Sequence, residues 1–205
     1  MTNLKKQKSL QIIVLFLAIL ASGCAGPVKH MATVSNENAV TTPDKGKALI
    51  VFQRPSKLGY AIQSSVFEIV DDEPEILGVI AAKKKMAYQA DPGEHLFMVV
   101  SESADFMSAE VEADKVYYVL VAPRMGAWKA RFSLGPILGK DVDGPKNQEW
   151  LKSCEWVEKT SSADEWASKN MADIKEKHKA YYEKWMSKPE ADRPRLTLED
   201  GKSVN

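Results

Sequence analysis

Val116-Tyr117-Tyr118-Val119-Leu120-Val121 sets the fold class. Six consecutive β-branched, aromatic or aliphatic residues suit a pleated surface buried on both sides, so the stretch reads as a central strand. Working outward, Met107-Ser108-Ala109-Glu110-Val111-Glu112 alternates apolar and polar, as a half-buried strand does. Met86–Ala90 and Glu94–Val100 flank Asp91-Pro92-Gly93, a turn in which proline presets φ and glycine is free for φ > 0. Ile76–Ala81 stops at Lys83-Lys84-Lys85, and Ser65–Val70 stops at Asp71-Asp72-Glu73-Pro74. Ala48-Leu49-Ile50-Val51-Phe52 ends at Arg54-Pro55-Ser56, where proline lacks the N–H a ladder needs. Beyond Val121, Trp128, Ala130, Phe132 and Leu134 alternate with Lys129, Arg131 and Ser133. About eight short strands with turn chemistry between them predict a mostly β domain over residues 47–140, an antiparallel sandwich or barrel.

The period changes after Gly144. Trp150, Cys154 and Val157 fall at i, i+4, i+7 and predict a short helix over about 146–159. Ser162-Ala163-Asp164-Glu165 has the form of a capping box. Behind it Ala167, Met171, Ile174, His178, Tyr181 and Trp185 share one helical face, and Lys188-Pro189 ends the helix. Residues 146–188 therefore read as a two-helix C-terminal appendage, and 189–205 as an extended or frayed polar tail.

At the other end Lys5, Lys6 and Lys8 precede the apolar run Ile12–Leu20, and Ala21-Ser22-Gly23 lead to Cys24. Charge, apolar core and small residues are the order of a secretory signal, too short to span a hydrocarbon core that takes roughly 20 apolar residues. Ala-Ser-Gly-Cys resembles the lipobox of bacterial lipoproteins. That resemblance implies cleavage after residue 23 and acylation of Cys24 by chains such as palmitate, enough of them for stable anchoring. With Ala25 rather than Asp next, it implies an outer-membrane lipoprotein facing the periplasm. Residues 24–46 are polar and aperiodic and read as a flexible tether of about 25 Å root-mean-square reach. His30, within it, reads as simply solvated.

Removing residues 1–23 from 205 leaves 182, and removing three lysines leaves 25 Lys+Arg against 28 Asp+Glu. A net charge of −3 gives no electrostatic reason to bind nucleic acid. With Cys24 carrying lipid, Cys154 has no intramolecular partner, and its place on an apolar face predicts a buried thiol.

No motif names a reaction. There is no G-x-S-x-G and no phosphate-cradling loop, and the three histidines are not spaced to share a metal. No cofactor is expected. A Ser56–His95–Asp91 triad has nothing in its spacing to support it. His178, in the apolar stripe, reads as a satisfied and partly buried histidine; a pH-sensing role would need a nearby charge. Arg54, Asp91, His95 and Arg124 stand at strand ends and turns, where binding loops gather; the plain alternative is surface ion pairs worth about 0–1 kcal/mol. The tail concentrates Trp150, Trp156, Trp166, Tyr181, Tyr182 and Trp185. Either these complete the core, or Trp156 and Tyr182, off the main stripe, stay exposed to meet a partner.

Gly46–Ser56, Pro92-Gly93-Glu94-His95 and Lys115-Val116-Tyr117-Tyr118 resemble the marks of a bacterial lipoprotein domain known as domain of unknown function 2846. The likeness covers residues 46–138, and the Trp-rich tail is similar to an extension on some of its members. It implies a periplasmic β-domain on a lipid anchor and brings no catalytic residues. The functional expectation is a non-enzymatic module that binds an envelope protein or the cell wall. A carrier of a small apolar ligand or lipid is the alternative, with an envelope hydrolase behind it.

Overall fold

The computed structural model describes residues 28–124 and 131–204. Cys24, the leader before it and Trp128 lie outside these residues. The described chain begins with β1 (Met31–Val34) and runs through β2 (Ala48–Arg54), β3 (Ser64–Val70), β4 (Glu73–Ile80) and β5 (Lys84–Ala90). It continues with β6 (Gly93–Val100), β7 (Ala104–Val111), β8 (Lys115–Arg124) and β9 (Arg131–Pro136). Next come α1 (Gly139–Val142), α2 (Pro145–Ser153), β10 (Glu155–Lys159) and the long α3 (Ser161–Met186). β11 (Arg195–Leu196) and β12 (Lys202–Ser203) close the chain, each preceded by a single 3₁₀ turn.

The strands form a sandwich. The first sheet has the order β1-β10-β5-β2-β8-β12, with β9 sharing β8; the second has the order β11-β7-β6-β3-β4. β3–β4 and β6–β7 pair antiparallel across short turns, the turns after β4, β5 and β7 carry the chain from one sheet to the other, and parallel contacts join distant parts of the chain: β2 with β8, β5 with β10, β7 with β11. β2 is buried along its whole length. One face, with Ile50 and Phe52, enters the space between the sheets, where Phe52 meets Phe97 of β6 edge-on at 5.3 Å. Its other face, Leu49 and Val51, packs with Val116 and Trp156 beside Leu151 of α2. A strand covered on both sides reads as a continuous apolar run, which is what Ala48–Phe52 is. Each such side chain taken out of water contributes about 1.5–3 kcal/mol.

α3 covers the outer face of the second sheet. Phe106 of β7 meets His178, Tyr182 and Trp185 at ring separations of 5.7, 5.3 and 6.0 Å. Ala167, Ile174, His178 and Trp185, all from the apolar stripe, are buried there.

Several expectations for the ends of the chain are corrected. The tether is fastened from Val28 onward: Val28 is buried, and β1 pairs antiparallel with β10. His30 is not simply solvated, since its Nδ1 lies 3.2 Å from Ser162 Oγ and its carbonyl accepts from Thr160. The first tail helix stops at Ser153, not 159, and residues 155–159 are β10. There Trp156 and Val157 fill both faces of a strand that closes the edge of β5, an edge that would otherwise leave its N–H and C=O groups unpaired. The Ser162 capping box does not form, because α3 starts at Ser161 behind Thr160. Nor is the tail after Lys188 frayed: Leu196 is fully buried, β11 pairs with β7, and β12 pairs with β8. Lys84 and Lys85, expected to end a strand, are buried within β5. Lys84 pairs with Glu155, and Lys85 lies over the Trp156 ring at 4.6 Å.

Candidate functional site

The site is built where the last turns of α3 leave the second sheet. On β6, Leu96 and Met98 face α3, while His95 and Phe97 face the first sheet, because successive side chains alternate. On β7, Ser108 pairs with Leu96 and Phe106 with Met98, so these share the α3 side. Past Trp185 the chain turns at Pro189 and returns along β7 through Arg193 and Arg195. Ile69, Leu96 and Ser108 thus form a floor, Tyr182, Trp185 and Met186 one wall, and Arg193 with Arg195 the other. The cleft encloses about 450 Å³, with Glu94 and Glu190 on its rim.

Tyr182 is half-buried and stacks on Trp185 at 5.9 Å. Trp185 is 5 % exposed, and its indole N–H meets no acceptor among the described residues. Arg193 holds its guanidinium 5.3 Å from the Trp185 ring, and its Nη1 lies 3.2 Å from the Met186 sulfur. Arg195 is engaged instead, at 3.0 Å from Glu110 and 3.9 Å from Glu94.

His95 contributes to the wall of this cleft, with its ring turned to the opposite side of β6. There Nδ1 donates to Glu68, Nε2 donates to the Asp91 carbonyl at 2.7 Å, and the ring stacks on Phe97 at 5.7 Å. Tyr88 of the first sheet donates to the same Glu68 carboxylate. Burial alone would push Glu68 up, but the hydrogen bonds from His95 and Tyr88 outweigh it and hold the carboxyl below its ordinary range. Burial would lower His95; Glu68 and the Asp91 carbonyl outweigh that and raise it. The Tyr88 hydroxyl is pushed up, first by burial and then by Glu68.

Of the candidate binding residues Arg54, His95, Arg124, Trp156 and Tyr182, the structure brings His95 and Tyr182 to this cleft, where Trp185 of the aromatic tail joins them. Arg54 is fully buried and holds a loop, donating to the carbonyls of Ile62, Gly59 and Leu58 at 2.7, 2.8 and 3.2 Å. That leaves it no surface for a partner and no part in a surface ion pair. Arg124 makes an exposed pair with Asp105 at 3.0 Å. Trp156 is 8 % exposed and belongs to the core, so it offers no interface. The Ser56–His95–Asp91 arrangement does not assemble. Arg54 pairs with Lys84 and Ala48 with Ala90, so Ser56 and Asp91 lie at opposite ends of that ladder, about 20 Å apart at 3.3 Å per residue. Ser56 Oγ accepts from Leu58, and the Asp91 carboxylate pairs with Lys47 at 2.5 Å. His178 is buried but not satisfied: its Nε2 has no hydrogen bond among the described residues, with Asp72 3.9 Å away.

Sequence reasoning missed Glu68, Trp185 and Arg193 as a site. A carboxylate inside Val66-Phe67-Glu68-Ile69-Val70 was the available signal for the first. The other two meet only because the chain folds back after α3. A second cleft of about 450 Å³ lies between β8, β9 and α1–α2, with Leu120, Ile137, Leu138 and Trp150 in its lining. Its polar Asn147 is already engaged by Gln53 and the Val142 carbonyl. Among the described residues no three metal-ligating side chains gather, and no helix is long and apolar enough to cross a membrane. No family model matches the chain, and no curated protein matches it.

Proposed function

We propose that this protein is a non-enzymatic binding module held on the cell envelope by an acylated Cys24, and that it works through the cleft beneath the end of α3. The observation that carries this reading is the cleft itself. Its volume falls in the range of small-molecule sites, about 300–1,000 Å³, and its lining sets Ile69, Leu96, Tyr182, Trp185 and Met186 beside the charged Glu94, Glu190, Arg193 and Arg195. The helix–sheet junction is also where a small-ligand carrier would hold its cargo, so the cleft favours a compact ligand over a flat protein interface. Arg54 and Trp156 drop out of the binding surface, while Tyr182 and the backbone of β6 at His95 remain. The lipobox supports placement at the outer membrane facing the periplasm, and the motifs of residues 46–138 support kinship with lipoproteins of that unknown-function domain.

The test is photo-crosslinking in intact cells from a crosslinking residue at position 182, with the exposed solvent-face residue Glu176 as control. A discrete adduct from 182 and none from 176 is expected, and mass spectrometry would identify its chemistry. No adduct from 182 would overturn the assignment of this cleft as the working site.

A further inference from the structure

The chain enters the folded body four residues after Cys24. Val28 is buried, and Lys29 and His30 behind it share a small cleft of about 230 Å³ with Ala61, Gln63 and Trp166. Four residues reach at most about 14 Å fully extended, so an acylated Cys24 holds this corner of the body within that distance of its membrane. The loop at the same corner, residues 57–63, is apolar and exposed. Leu58, Tyr60 and Ile62 are 50, 52 and 37 % exposed, three large apolar side chains within five residues. Single apolar side chains are ordinary on a surface, whereas a contiguous set marks an interaction site. The loop is also held in shape, since buried Arg54 donates to the carbonyls of Leu58, Gly59 and Ile62.

Charge at this corner runs against that of the body. The mature chain is acidic, yet no Asp or Glu occurs between Cys24 and Glu37 or between Asp44 and Glu68. Lys29 and Lys57 are exposed here, and no carboxylate lines the small cleft among the described residues. Elsewhere at this end of the sandwich Glu155 is paired with Lys84, Asp105 with Arg124, and Glu102 is not free either. We propose that Leu58, Tyr60 and Ile62 dock the body on the phospholipid leaflet that carries the Cys24 acyl chains. Their side chains enter the headgroup boundary, where a tyrosine keeps its ring in the apolar layer and its hydroxyl in water, and Lys29 and Lys57 meet anionic headgroups. This inference rests on the reading of Cys24 as acylated. Docking fixes the direction of the large cleft as well. Trp166 lies at the small cleft and Trp185, nineteen residues on along α3, at the large one. At 1.5 Å per residue they stand about 29 Å apart, so the large cleft is carried away from the leaflet.

The experiment reconstitutes the full acylated chain in vesicles of phosphatidylethanolamine and phosphatidylglycerol, with a photo-crosslinking residue at position 60. Phospholipid adducts are scored by mass spectrometry. Positions 176 and 186 are the controls, the first polar and exposed, the second an exposed apolar residue at the large cleft. Lipid adduct from position 60 is expected to exceed either control about tenfold, because apolar contact and headgroup attraction act on one surface. Leu58→Ser with Ile62→Ser should remove most of it, and leaves the loop held, because Arg54 grips backbone carbonyls. Lys29→Glu with Lys57→Glu should lower it severalfold in these vesicles and little in pure phosphatidylcholine. Equal lipid adducts from 60, 176 and 186, or none from 60 in a chain that stays with the vesicles, would overturn the docking loop and leave the anchor standing. A discrete protein adduct from 60 in native membranes, in place of lipid, would overturn it in favour of a protein partner. A chain with Cys24 intact that stays out of the vesicle fraction would overturn the acylation reading, and this inference with it.

Discussion

The His95 imidazole donates from Nδ1 to the Glu68 carboxylate on the inner face of the β3–β6 ladder, and its other nitrogen donates to the Asp91 carbonyl. Both partners are acceptors, which favours the doubly protonated, cationic ring and raises its pKa above the ordinary value. Glu68 in turn takes a second donor, Tyr88, from the opposite sheet. One buried ion pair thus ties the two sheets together at the end of the sandwich that carries the cleft.

The pair makes stability depend on pH from both sides. His95 titrates above its ordinary 6.5 in the folded chain, so its contribution is complete below that value and is lost as pH rises through the raised value. Glu68 titrates below its ordinary 4.5, so its contribution is complete above that value and is lost as pH falls through the lowered one. Both are in full effect between about pH 4.5 and 6.5. Thermal melts across pH should show a maximum there that His95→Gln flattens on the alkaline side. Tyr88→Phe should cost about 1.5–3 kcal/mol, the range for a hydrogen bond to a charged group.

Arg54 should be irreplaceable by lysine. Its buried fork serves three carbonyls of the 58–62 loop, and its guanidinium lies 4.3 Å from the Phe132 ring. Burial lowers its pKa to about 10, which leaves it charged at neutral pH. A lysine ammonium cannot reach all three acceptors in one plane. Arg54→Met should cost about 3 kcal/mol or more by leaving carbonyls unmet, and Arg54→Lys should recover little of it. Urea titration gives the cost, and limited proteolysis should show new cleavage within residues 57–63.

Trp156→Ala should act on folding and not on binding. The side chain fills the outer core of the first sheet beneath Lys85, and deleting a buried Trp costs about 3–5 kcal/mol. Tyr182→Ala, at a half-buried cleft wall, should cost less in stability and more in ligand retention. Denaturant midpoints measured beside adduct yield at the cleft would separate the two; a larger stability loss at 182 than at 156 would contradict the placement.

Gly201→Ala should loosen the tail. A Cβ there would come within 2.5 Å of the Tyr117 ring, which is fully buried and has no room to shift. Overpacking of this kind costs about 1–3 kcal/mol. Hydrogen exchange should quicken at Lys202 and Ser203 and at their β8 partners Val116 and Lys115, with β6–β7 amides unchanged.

The sequence determined the local structure of the body. Turn chemistry at Asp91-Pro92-Gly93 places Gly93 at φ 128°, and the Asp71-Asp72 turn places both residues at positive φ. The apolar stripe from Ala167 to Trp185 settled which face of α3 is buried. These features depend on neighbours within a few residues, so periodicity and turn propensity suffice to read them. Tertiary structure decided the rest. The spacing of Trp150, Cys154 and Val157 suits a helix, yet the unpaired edge of β5 draws residues 155–159 into a strand. The polar tail has no period of its own, and it is ordered because β7 and β8 offer it backbone partners. Whether an arginine carries a loop, as Arg54 does, or lies over a tryptophan, as Arg193 does, follows from which chain segments meet. Contacts between residues far apart in sequence leave no local signature, and the cleft is made almost wholly of such contacts.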